Sequence, residues 1–139
     1  MSEIKKARLR VVSLMRDMDG DKNEIKNAHI GTCREEGDTV VLEYEDVQDG
    51  ERAHIELRCA ADRAKMIRKG MTSAQLTFLQ GQRTSSAYVT MFGEIPVMVD
   101  TRQVLVAREE SGGDLLLNYD VYVGGDLTAR TELRVTWRI

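Results

Sequence analysis

From Leu127 to Ile139 the chain reads LTARTELRVTWRI, and one set of positions is mainly apolar while the other is polar or charged. Leu127, Ala129, Leu133, Val135, Trp137 and Ile139 alternate against Arg130, Glu132, Arg134 and Arg138. A period of two sends the sets to opposite faces of an extended backbone. The segment therefore predicts an antiparallel strand with one buried and one wet face. The pattern recurs upstream. RLRVVSLM aligns Leu9, Val11, Ser13 and Met15; TVVLEYE aligns Val40, Leu42 and Tyr44; RAHIELRC aligns Ala53, Ile55, Leu57 and Cys59. Helical periodicity is nearly absent, and CAADRAKMIRKG fits a strand as well as a helix.

Turn chemistry separates these runs. REEGDT, VQDGER, RKGMTS, LQGQR, MFGEI, SGGDL and VGGDL each place Gly where the chain is expected to reverse. The two GGDL stretches read as two hairpin turns of like chemistry, not as an internal repeat. RDMDGDKNEIKN, from Arg16 to Asn27, reads as an irregular polar connection. The spacing predicts an all-β fold of about eight to ten antiparallel strands joined in order by tight turns. Closing such an up-and-down meander into a barrel removes its exposed edges. A length of 139 residues suits a single β-barrel domain over residues 1–139.

Charge and composition narrow the partners. The net charge is −3, and the one basic cluster, KKARLR at Lys5–Arg10, runs straight into apolar residues, so no nucleic acid is expected. Nothing approaches the ~20 apolar residues of a membrane-spanning helix, and no export signal is visible. A cytoplasmic protein is expected, with Cys33 and Cys59 as reduced thiols.

Motifs for chemistry break down on inspection. Asp17, Asp19 and Asp21 alternate like the start of a calcium loop, but Lys22 stands where that loop needs Gly and Ala28 where it needs a bidentate acid. His29 and Cys33 share a face, and two ligands fall short of a zinc site. The serines lack the glycines of a nucleophile elbow, and VGGDLT leads into a strand instead of a phosphate-binding helix. No metal site, cofactor or catalytic set is expected.

What remains is a polar set on the middle strands. In TSSAYVT a row of hydroxyls, Thr84, Ser86, Tyr88 and Thr90, shares one face. The row lines a cavity if the barrel holds one and faces water if the barrel is solid. Arg68 has the parity of Ala64 and Met66, which points it towards the interior near one mouth. There it needs an acid, a carbonyl or an anionic ligand. Glu45 is a candidate acid, although alternation turns it away from Tyr44. Tyr88 and Thr90 would supply orienting hydroxyls, with Ile95, Val97 and Leu117 as apolar wall.

The order GDTVVLEYED, KMIRKG, LTFLQGQR, YVTMFG, VDT and LLLNYDVYVGG resembles the YwiB-like family of uncharacterised bacterial proteins. The match runs from about Ile30 onward. It is carried by Tyr44-Glu45, Arg68 with Gly70, Gly81, Tyr88 with Thr90 and Gly93, Thr101 and Tyr119. Met91-Phe92 stands where that family places Pro-Tyr before the turn glycine. The resemblance implies a calycin-type, lipocalin-like barrel and brings no established activity. With it, Arg68, Tyr88, Thr90, Glu45, Thr101 and Tyr119 become the candidate ligand contacts. The expected function is binding of a small, partly apolar molecule with an acidic group. Alternatives are a barrel enzyme using Arg68, Tyr88 and Glu45, or a structural or protein-interaction module.

Overall fold

The computed structural model describes residues 3–48 and 50–139. Ten strands run in order: β1 Lys5–Asp17, β2 Lys22–Glu36, β3 Thr39–Gln48, β4 Glu51–Ala60 and β5 Arg63–Lys69, then β6 Ser73–Leu79, β7 Arg83–Thr90, β8 Gly93–Glu109, β9 Gly112–Val123 and β10 Asp126–Arg138. Each pairs antiparallel with its sequence neighbours, and β1 pairs with β10, so the sheet is a closed barrel. This is the expected up-and-down meander. Among the described residues none is helical, and no helix is long and apolar enough to cross a membrane. The turns β1–β2, β3–β4, β5–β6, β7–β8 and β9–β10 lie at one end, called the upper end below.

Alternation builds the core. Leu42, Leu57, Phe78, Val99, Leu115, Leu117, Val135 and Trp137 all point inward and are fully buried. Each such side chain stabilises the fold by roughly 1.5–3 kcal/mol relative to exposure. Cys33 and Cys59 are free and buried in the same wall. They lie on β2 and β4 with β3 between them. Two inter-strand spacings amount to roughly 9–10 Å, beyond disulfide reach.

The region from Arg16 to Asn27, expected to be irregular, is instead the tip of a long hairpin. The chain turns within Met18–Asp21, and register with β1 resumes at Lys22, opposite Arg16. Asp17 secures the turn: its Oδ1 accepts from the backbone N–H groups of Asp19 (3.0 Å) and Asp21 (2.9 Å). The acidic alternation is thus turn chemistry.

The two GGDL stretches do different work. Gly124 and Gly125 form a turn with φ of 60° and 87°, as expected of a hairpin. Gly112 and Gly113 are strand residues of β9, and the chain reverses before them. Gly113 lies opposite Trp137, and a Cβ there would come within 2.4 Å of the indole ring and of the Ala107 carbonyl oxygen. Here glycine makes room for the largest core side chain.

Two seams are incompletely laddered. Between β6 and β7, register pairs join only Ser73 to Val89 and Ala74 to Tyr88. Between β2 and β3 they run from Thr32–Glu43 to Glu36–Thr39, leaving Lys22–Gly31 without β3 partners. The hydroxyl row belongs to the first seam. It has the inward parity of Tyr88, and two of its members stitch across the gap. Thr84 Oγ1 donates to the Thr77 carbonyl (2.6 Å), and Ser86 Oγ donates to that of Gln75. Side chains replace the missing ladder bonds.

Gly113→Ala is expected to cost about 1–3 kcal/mol through overpacking against Trp137, read as a lower midpoint in urea unfolding. Alkylation in denaturant without reductant is expected to label both cysteines, checked by intact mass.

Candidate functional site

Register places a set of side chains on one level near the upper end. Tyr44 lies opposite Ile55, Ile55 opposite Arg68, Arg68 opposite Ala74, Ala74 opposite Tyr88 and Tyr88 opposite Ile95. Ala74 is small, so the space between the Arg68 and Tyr88 strands is left open to their longer side chains. Tyr44 is buried, while Arg68 and Tyr88 are half-buried. Asp46, one inward step above Tyr44 on β3, sends Oδ2 to 3.7 Å from Arg68 Nη1. That separation suits an ion pair and is too long for a hydrogen bond.

The phenols around the guanidinium are held neutral. Burial raises the Tyr44 hydroxyl well above the ordinary tyrosine range; the nearby Asp46 carboxylate adds to this, and Arg68 opposes it. Burial likewise raises Tyr88, again opposed by Arg68. Tyr119 is raised by burial and further by Tyr88. All three present a protonated hydroxyl at neutral pH. Among the described residues neither Arg68 nor Tyr44 or Tyr88 makes a side-chain hydrogen bond. This level is therefore rich in unused donors, with one carboxylate beside them. His29 closes the incompletely laddered β2–β3 seam by stacking on Tyr44, with ring centroids 4.5 Å apart.

A second polar row crosses β8, β9 and β10. Thr101 lies opposite Tyr119, and Tyr119 opposite Thr131. These are 0%, 8% and 3% exposed, and neither threonine Oγ1 has a hydrogen-bond partner among the described residues. A buried hydroxyl without a partner costs about 1–3 kcal/mol. The Tyr119 ring packs against Phe78 at 4.7 Å.

The expected residues thus separate into groups. Arg68 and Tyr88 share one level. Thr101 and Tyr119 belong to the adjoining row. Thr90 is occupied by the β7–β8 turn: its Oγ1 accepts from Phe92 N (3.1 Å) and donates to the Gly93 carbonyl (2.9 Å). Glu45 stands on the outer face, as alternation implies, so Arg68 takes Asp46 as its acid. Of the expected apolar wall, Ile95 flanks Tyr88 at the rim, Val97 is buried just below it, and Leu117 belongs to the packed core. Asp46 and Thr131 did not enter the expected set, although parity marks both. Asp46 continues Val40, Leu42 and Tyr44, and Thr131 sits between Ala129 and Leu133.

Arg68 also lines a cleft of about 940 Å³ over β5, β6 and β7, together with Lys69, Ser73, Ser86, Val89 and Glu94. Beside it a cleft of about 360 Å³ is lined by Met71, Met91, Phe92 and Ile95. Met71, Met91 and Phe92 are 62%, 77% and 93% exposed. The polar level is therefore bordered by an apolar rim.

Residues 10–135 match the family model described as a domain of unknown function, DUF1934. The chain belongs to this family. Its fold is similar to that in the crystal structure of the YwiB protein from Bacillus subtilis, with a TM-score of 0.87 over 97% of this chain and 92% of that one. Identity is 21%, so this likeness is one of fold. No curated protein matches the chain. The YwiB-like resemblance read from Tyr44, Arg68, Tyr88 and Tyr119 is borne out at the level of family and barrel.

Outside this DUF1934 barrel, Glu45 joins an ion network. His54 Nδ1 lies 2.7 Å from Glu45 Oε1, and Nε2 lies 3.1 Å from Glu43 Oε1. Glu43 also accepts from Arg34 Nη1 at 2.6 Å. Hydrogen bonds to Glu45 and then Glu43 raise His54 above its ordinary 6.5. Because the folded value is raised, the stability from charged His54 is present in full below the unfolded value. It is lost as pH rises through the folded one. Thermal unfolding followed from mildly acidic to mildly alkaline pH is expected to show a loss of stability above the unfolded value of 6.5. His54→Gln should remove that part of the slope.

Proposed function

We propose that this DUF1934 barrel is a cytoplasmic, calycin-like binding protein for a small, partly apolar molecule carrying an acidic group. The observation that carries the reading is the level formed by Arg68, Tyr44 and Tyr88, where a guanidinium and two neutral phenols converge with unused donors. A carboxylate or phosphate reaching Arg68 would compete with Asp46, whose contact at 3.7 Å leaves the planar fork free. The phenols would donate to the same group, and the rim of Met71, Met91, Phe92 and Ile95 would receive the apolar part. Tyr119, Thr101 and Thr131 extend the donor set inward along the adjoining row.

Native mass spectrometry of gently purified protein tests the reading by looking for a co-purifying small molecule. The adduct is expected in the parent chain and absent in Arg68→Met/Asp46→Asn. That pair removes both charges together, so neither is left unpaired in the half-buried mouth. Its melting temperature is expected to stay within a few degrees of the parent, because a weak half-buried pair contributes about 1 kcal/mol or less. An adduct that survives in the double variant would remove Arg68 from the site.

A further inference from the structure

The net charge of −3 conceals a strongly basic face. Register turns Lys6, Arg8, Arg10 and Arg16 of β1 outward together. Beside them on β2 stand Lys22, opposite Arg16, and Lys26, opposite Val12. On β10 Arg138 is opposite Arg8, Arg134 opposite Val12 and Arg130 opposite Arg16. All nine are exposed. The outward positions from Lys6 to Arg16 on β1, Lys22 to Lys26 on β2 and Arg130 to Arg138 on β10 therefore hold nine of the chain's 20 Lys and Arg residues, while only Glu24 and Glu132 of its 23 acids share them. Lys26 pairs with Glu24, and Arg130 approaches Asp120 at 3.9 Å. Among the described residues the other seven cations have no carboxylate within 4 Å.

We propose that this β2–β1–β10 face binds the phosphate backbone of double-stranded nucleic acid without reading its sequence. Six of the nine cations are arginines; Arg138 Nη1 donates to the Trp137 carbonyl, and the other five present a planar fork that engages phosphate oxygens in pairs. No outward position of the three strands in this span is aromatic, so the face offers no platform on which unpaired bases could stack. A duplex needs none, since it hides its bases and presents phosphates. The cations also fall into two bands. The row Glu24–Leu14–Glu132 separates Lys22, Arg16 and Arg130 from the rest. Arg134 lies four residues from Arg130, or about 13 Å along the strand, close to the roughly 12 Å width of a major groove. The rows flanking the acidic strip, Lys22–Arg16–Arg130 and Lys26–Val12–Arg134, match two phosphate ridges across a groove, and Arg10, Arg8, Arg138 and Lys6 continue the basic face beyond the second row. This face lies away from the mouth at Arg68, and neither reading depends on the other.

Fluorescence anisotropy with a short labelled mixed-sequence DNA duplex tests the proposal. Binding is expected with a dissociation constant of about 10⁻⁴–10⁻⁶ M near physiological salt, tightening steeply as salt falls. With about five phosphates engaged, the slope of log affinity on log salt is about −4 to −5. Arg10→Glu/Arg134→Glu is expected to weaken binding at least tenfold and to flatten that slope by about 2. Arg63→Glu/Lys65→Glu on β5, across the barrel, should leave both unchanged. Circular dichroism and melting temperature checked on each variant separate loss of binding from loss of fold. Absence of binding at low salt, or equal weakening by the two variants, would overturn the proposal. So would tighter binding of a single strand, of anionic lipid vesicles or of polyglutamate than of the duplex.

Discussion

The ladder between β1 and β10 turns a ten-strand meander into a barrel. It runs without a break from Arg8 opposite Arg138 to Asp17 opposite Ala129, joining elements from the two ends of the chain. Without it β1 and β10 would each expose an unpaired edge on the face that carries Trp137, Val135 and Leu9. Closure also sets the stagger of the other pairs, because a closed sheet admits one consistent shear. The space left by Gly113 and filled by Trp137 lies beside this ladder, where the core is most tightly determined.

The sheet is not uniform around its circumference. From β2 through β1, β10 and β9 to β8 the ladders are long, and the irregularities are bulges at Arg102 and Thr128. The opposite half contains the two short seams. Polar chemistry gathers there for a physical reason. Where backbone groups are not paired across strands, side chains must satisfy them or plug the gap. Thr84 and Ser86 bond the carbonyls of β6, while His29 and Tyr44 stack in the β2–β3 split. Arg68, Asp46 and Tyr88 occupy the same half. Strands beside the short seams can open locally at lower cost than those of the long-laddered half.

The fold was legible because alternation is a local signal that survives tertiary context. Leu42, Leu57, Val135 and Trp137 are buried as their parity requires. Turn signals were legible in kind and less so in place. Gly112–Gly113 and Gly124–Gly125 share a motif, yet the first pair answers to a Trp two dozen residues away in sequence, and no local rule reports that. The site was legible in part. Arg68 and Tyr88 declared their face by parity, but Thr90 is claimed by its own turn and Glu45 by His54. Which neighbour a polar side chain bonds depends on register between strands, and a single strand's pattern does not contain it.

The same distinction governs charge. Net charge is a sum over the chain, whereas a polyanion meets the potential of one face at a range of roughly 8–10 Å in physiological salt. KKARLR contributes three of its cations, Lys6, Arg8 and Arg10, to the outward set of β1. Arg134 and Arg138 join them only because β10 returns to pair with β1 at the other end of the chain. Closure thus brings together charges that are more than a hundred residues apart in sequence. A window along the chain shows a short basic run, while the paired strands present a field. The ladder that removes the barrel's edges is also what assembles its basic face, so truncating β10 would dismantle both together.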